Sequence, residues 1–194
     1  MADWLTGVPL NRTTAPSSDT TTTTTSTTTT TTTTTTTPPP CPSGWTIFNR
    51  GTYSWCMKIY LGQITAPNAK AACQTLNSAA VVSGFQNTAE ISTMMAIALS
   101  ENNGVDAKIF VGAYRTNACL GQLLTATCNT LNSFYWTDTY TNGTAGFQWD
   151  SGAPNDTYLT QNWVTIDFET ETMDDEWSYT VQSGAVCGMK ATFY

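Results

Sequence analysis

From residue 41 onward, apolar and polar positions recur with two distinct periods, and each period predicts a kind of element. Trp45, Ile47, Tyr53, Trp55, Met57 and Ile59 fall at roughly every second place with Gly51 between them, which predicts a pair of short strands. The period then lengthens. Ala69, Ala72, Cys73 and Leu76 stand at helical spacing and predict a helix over residues 66–76, entered through Thr65 as N-cap with Pro67 in the first turn. A second helix opens at Asn87, with Glu90 three residues on as in a capping box. It carries Ile91, Met94, Met95, Ala98 and Leu99 on one face and stops at Asn102-Asn103-Gly104. Beyond Gly104 the period returns to that of strands: residues 109–113, 134–138, 163–168 and 185–189, joined by long loops. Val164, Ile166 and Phe168 are predicted to face one way and Asp167, Glu169 and Glu171 the other. Early helices followed by many short strands predict an α+β fold rather than a parallel α/β one.

Before residue 41 there is no period. Residues 20–37 are threonine apart from Ser26, and Pro38-Pro39-Pro40 follow. Such a tract has almost no apolar surface to offset its ordering entropy, so residues 1–40 are predicted to be a disordered Thr/Pro-rich, mucin-like stalk and residues 41–194 a folded domain. No apolar run approaches the ~20 residues of a membrane helix, and no membrane span is predicted.

Charge narrows the chemistry. Seven Lys and Arg face fourteen Asp and Glu, a net charge of −7 that repels phosphate backbones, so no nucleic-acid partner is expected. The chain has no histidine, which removes Ser-His-Asp and Cys-His catalysis and His-containing zinc sites. Nine of the acids lie between Asp138 and Glu176, and no Lys or Arg occurs from 116 to 189. This stretch reads as a solvated loop, with a relocated calcium site or a dock for a basic partner as the functional alternatives. Carboxylate pairs also serve glycosidases, but an exposed acidic turn offers no burial to raise one pKa, and the chain is expected not to be an enzyme.

Six cysteines, none in a CxxC pair, predict disulfides and an extracellular or secreted location; spacing alone leaves fifteen pairings open. The opening ten residues contain neither the basic nor the apolar region of a secretory leader, so a leader is expected upstream of Met1. Asn11, Asn142 and Asn155 head N-glycosylation sequons.

An ordered series of these residues resembles the C-type lectin-like domain in its long, nematode-like form. It comprises Cys41-Pro42-Ser43-Gly44-Trp45, Trp55-Cys56, the helix carrying Cys73, the Asn87–Glu90 helix start and Phe110-Val111-Gly112-Ala113. The Cys119…Cys128 insertion, Trp149-Asp150-Ser151-Gly152-Ala153-Pro154-Asn155, Trp177 and Cys187 complete it. The resemblance implies two helices packed on short antiparallel sheets with a long loop region. It also implies the pairs Cys41–Cys56, Cys73–Cys187 and Cys119–Cys128, with Trp163 filling as core the place of a second family bridge. Sugar-binding members of that family hold calcium with an acid-Pro-Asn triplet, a downstream Glu, and Asn-Asp after a tryptophan. Here those places read Ala153-Pro154-Asn155, Gln161 and Ser178-Tyr179, so the resemblance implies no metal at that position and no cofactor. The expected role is recognition of a glycan or protein ligand through Trp149, Pro154, Asn155, Asp167 and Glu169; the alternative is a structural, mucin-like protein without lectin activity.

Overall fold

The computed structural model describes residues 40–192; residues 1–39 of the predicted stalk, with the Asn11 sequon, lie outside the described residues. Strands β1 (Thr46–Asn49) and β2 (Ser54–Ile64) form the opening hairpin. Trp55, Met57 and Ile59 of β2 are buried on one face, as the alternation predicts. Ile47 is not: it is exposed on β1, and Phe48 is the β1 side chain that packs on the core. The alternation is one place out of step on β1 because it is an edge strand, where one apolar side chain faces water at little cost.

Helix α1 (Ala66–Leu76) buries Ala69, Ala72 and Cys73 against the sheet. The Thr65 hydroxyl makes no cap bond to the helix backbone, and instead accepts from the Asn68 side chain at 3.1 Å. Strand β3 (Val81–Val82) leads to helix α2 (Thr88–Glu101), whose N-cap Asn87 accepts the Glu90 N–H at 3.1 Å. Glu90 turns its carboxylate to Arg50, at 2.6 Å, both side chains being buried.

Strands β4 (Lys108–Arg115), β5 (Phe134–Trp136), β6 (Trp163–Asp167), β7 (Met173–Glu176) and β8 (Gln182–Lys190) complete the fold. The strands form one sheet in the order β1-β2-β8-β4-β6-β7, with β3 on β8 and β5 on β4. It is a mixed sheet rather than purely antiparallel ones, since Phe110 of β4 meets Ala185 of β8 in parallel. The helices cover opposite faces. Met94, Met95 and Ile91 of α2 pack with Ile109, Val111, Val164, Ile166 and Val186, while α1 packs with Phe110, Ala185 and Cys187. Strand β5 ends at Trp136, two residues short of the prediction, because Asp138 leaves the ladder to accept the backbone N–H groups of Gly84, Tyr140 and Thr141 at 2.7–2.9 Å.

Three disulfides close as Cys41–Cys56, Cys73–Cys187 and Cys119–Cys128. The second ties α1 to β8 across 114 residues of chain. Trp163 is only half-buried: its ring meets Tyr114 edge-on at 5.0 Å and lines an open groove of about 390 Å³ with Phe110, Tyr135 and Lys70. An indole is too broad to replace a bridge without leaving one side in water.

Candidate functional site

Strand β4 opens with Lys108, is uncharged from Ile109 to Tyr114 and ends in Arg115. Its pairing with β6 shifts register between Val111 and Tyr114, and such an irregularity re-aims the side chains that follow it. Arg115 is thereby directed inward, 1% exposed, with its guanidinium 4.5 Å from the ring centre of Phe134 on the paired strand. It donates through Nη2 to Asp175 Oδ2 at 2.6 Å and through Nε to the Gln161 carbonyl at 2.9 Å, with Asp156 Oδ2 at 3.6 Å.

The loop from Ala153 to Asn162 is assembled around these charges. The Ala153–Pro154 peptide is cis. The Asn155 and Asp156 N–H groups donate to the two oxygens of Asp175, each at 2.7 Å. Gln161 donates its backbone N–H to Asp156 Oδ1 at 2.9 Å and its side-chain amide to the Asp175 carbonyl at 2.8 Å. The Gln161 carboxamide oxygen accepts the Thr157 N–H, and Asn155 Oδ1 accepts both the N–H and the hydroxyl of Thr157. Burial pushes the Asp175 carboxyl above its ordinary 3.8, against the two backbone N–H groups and Arg115, which favour the ionised form.

That network holds a conformation the backbone would not choose. Asp156, Tyr158 and Leu159 all have φ between 47° and 59°, in the left-handed region that costs non-glycine residues of order 1 kcal/mol or more each. The result is a tip that presents Tyr158 at 84% exposure. Across from it, Trp177 and Tyr179 follow β7 in a turn closed by Glu176, which accepts the Trp177 N–H at 2.8 Å and the Thr180 hydroxyl at 2.9 Å.

The five residues expected to contact ligand do not form one surface. Pro154 is buried within the loop and Asn155 is exposed on it. Asp167 and Glu169 sit at the opposite end of β6, in the turn to β7, where Asp167 Oδ1 accepts the N–H groups of Glu169 and Thr170. Trp149 is half-buried against the core: it stacks on Phe147 at 5.5 Å and donates to the Thr130 carbonyl at 2.9 Å. The alternation that aligned Asp167 with Glu169 fails because the strand ends at Asp167.

Ser178 and Tyr179 directly follow Trp177. Both are exposed in the turn after β7, whereas the acid that reaches the loop is Asp175, preceded on the strand by buried Met173. Asp174 faces the other side of β7 and pairs with Lys108 at 3.5 Å. A calcium ion needs about six to eight oxygen ligands. Here Ala153 offers a methyl group, the oxygens of Asn155, Gln161 and Asp175 already accept donors, and a guanidinium lies against Asp175 and Asp156. The loop residues do not fit the ion. Asp175 is equally unsuited to general acid–base work, its oxygens being engaged by three donors.

Arg115, Asp156 and Asp175 were missed in the sequence, and so was the row that exposed Tyr158 and Tyr179 form with half-buried Trp177. The available signal was Arg115 itself, the last cation before a stretch that holds nine acids.

Solved structures with this architecture are C-type lectin domains and their relatives. The cow C-type carbohydrate-recognition domain of CD23, determined in the presence of a GlcNAc2Man3 oligosaccharide, aligns with a TM-score of 0.56 at 18% identity over 78% of this chain and 97% of that one. C-type lectin CEL-I from Cucumaria echinata gives 0.57 at 16% identity, covering 79% and 99%. A calcium-independent type II antifreeze protein gives 0.52 at 18% identity, covering 78% and 95%. The fold is that of a C-type lectin domain. More particularly, the profile of the C-type lectin domain-containing protein 141/158 family matches residues 44–176, and the chain belongs to that family. It is 36% identical to C-type lectin domain-containing protein 141 of Caenorhabditis elegans over 134 residues, 60% of this chain and 43% of that protein. The matched part thus spans less than half the length of that relative. Domains of this family are in general binding modules.

Proposed function

We propose that this chain is an extracellular, non-enzymatic recognition module that binds a glycan or protein ligand at its long-loop face without a calcium ion there. The observation that carries this reading is the buried Arg115 guanidinium, which supplies positive charge to Asp156 and Asp175 from within the chain. The loop is therefore pre-organised before any ligand arrives, which lowers the ordering cost of binding. Three disulfides support an oxidising compartment, and no helix among the described residues is long and apolar enough to cross a membrane. Asn142 and Asn155 are exposed and open to glycosylation in that setting, and Asn155 is also a candidate ligand contact.

Thermal unfolding of the full chain in calcium and in chelator tests the reading. An ion site filled at a hundred times its dissociation constant adds about 2.7 kcal/mol, and a domain of this size moves about 2–4 °C per kcal/mol. The expected outcome is no shift. A rise of several degrees in calcium, or ligand binding abolished by chelator, overturns the proposal.

A further inference from the structure

Tyr158, Trp177 and Tyr179 form a row of near-parallel rings on the outside of the domain. Ring centres lie 6.5 Å apart from Tyr158 to Trp177 with planes inclined by 28°, and 6.0 Å apart from Trp177 to Tyr179 with planes inclined by 17°. Tyr158 and Tyr179 are 84% and 71% exposed. Large aromatic surface left in water is costly, and a contiguous patch of it marks a contact site.

Both supports of the row are fixed. Tyr158 stands on the left-handed loop held by Asp156 and Asp175. Trp177 donates its indole N–H to the Thr160 hydroxyl at 3.1 Å, which joins the turn to the loop, and Glu176 clamps the turn from within. A rigid row of amphipathic rings binds with little loss of side-chain entropy.

Charge selects among ligands. No Lys or Arg occurs between residues 116 and 189, so no cation in this whole segment can meet a sulfate, phosphate or carboxylate. Beside the rings the Thr160 hydroxyl accepts the Trp177 indole N–H, Thr157 and Ser178 are exposed sequence neighbours of Tyr158 and Tyr179, and the Glu176 carboxylate is taken up by the Trp177 N–H, the Thr180 hydroxyl and the Gln182 amide. Aromatic faces carry partial negative charge and attract weakly positive C–H groups. A ring with an aliphatic face and hydroxyls at its edge, and with no net charge, matches both features.

We propose that the row formed by Tyr158, Trp177 and Tyr179 is a ligand-contact platform that stacks the apolar faces of neutral pyranose rings. It rests on the recognition-module reading above and names the ligand class for the same face.

The test uses the full chain after enzymatic removal of N-glycans, with laminarin, mannan and chitohexaose as neutral probes and heparin as the anionic one. Binding is followed by calorimetry in chelator. The expected result is that at least one neutral probe binds, heparin does not, Tyr158→Ala and Tyr179→Ala each weaken binding at least tenfold, and Tyr135→Ala, on an exposed ring of another surface, leaves it unchanged. Equal binding by the platform variants and the parent overturns the platform while leaving the recognition module standing. Failure of every neutral probe, or capture of heparin by the platform, overturns the ligand class. Binding seen only in calcium overturns the calcium-free reading on which the platform rests.

Discussion

Replacing Arg115 by methionine removes the buried cation and keeps a side chain of comparable length. Two carboxylates then remain inside the domain: Asp175, which has lost a 2.6 Å partner, and Asp156, which has lost one at 3.6 Å. The Gln161 carbonyl loses its donor as well. Breaking a buried ion pair from one side costs about 3–5 kcal/mol, whereas an exchange that only alters packing costs less than about 1.5 kcal/mol. The expected loss is therefore about 4 kcal/mol, which lowers the unfolding midpoint by roughly 10 °C for a domain of this size. Circular dichroism melts give that number directly. Hydrogen exchange localises it, because the amides of Asn155, Asp156 and Gln161 all donate to the carboxylates that Arg115 neutralises and should lose protection first. Adding Asp175→Asn to Arg115→Met should restore part of the stability by removing one of the stranded charges. A single variant that melts within about 3 °C of the parent, with loop protection intact, would show that Arg115 does not hold the loop.

Two further perturbations separate buried charge from packing elsewhere. Asp175 has its folded-state pKa raised by burial, so its contribution to stability is fully present below 3.8 and is lost as pH rises through the raised value. The melting-temperature gap between the parent and Asp175→Asn should accordingly widen as pH falls from neutral toward 3.8; a gap that narrows means the Arg115 pairing outweighs desolvation. Arg50 holds Glu90 through two bonds of 2.8 and 2.6 Å and also donates to Thr141 and the Gly84 carbonyl. Arg50→Leu should cost about 3–5 kcal/mol in denaturant unfolding, while Arg50→Leu combined with Glu90→Leu should recover at least half of it, since an unpaired buried charge is worse than none. A double variant as unstable as the single one contradicts that account.

The helices and most of the strands were legible because their signals are local. Met94, Met95 and Ala98 at helical spacing and Val164, Ile166 and Phe168 at strand spacing report burial on one face, and the structure buries all six. The disulfide pairing was not legible from spacing and required the resemblance. What periodicity missed are places where a single polar group outweighs the pattern. Asp138 ends β5 early by gathering backbone donors, and Asp167 ends β6 by bonding its own turn, which separated Glu169 from the long loop. Neither effect has a period.

The loop site was the least legible part, for a reason that lies in the topology. The residues expected to bind an ion cluster between 153 and 179, so their loss read as the loss of a site. The charge that occupies the loop comes from residue 115, on a strand that meets β6 only through long-range pairing, and it reaches inward only after a shift in register. A tethered guanidinium differs from a bound ion in one consequence that matters for function. An ion can exchange its ligands for those of a sugar, but Arg115 is 1% exposed and directed at Asp175, so it cannot reach outward to a ligand. Recognition is thereby displaced from the carboxylates, which have become internal scaffolding, to whatever that scaffolding presents. What it presents is Tyr158, raised on three left-handed residues and set in line with Trp177 and Tyr179.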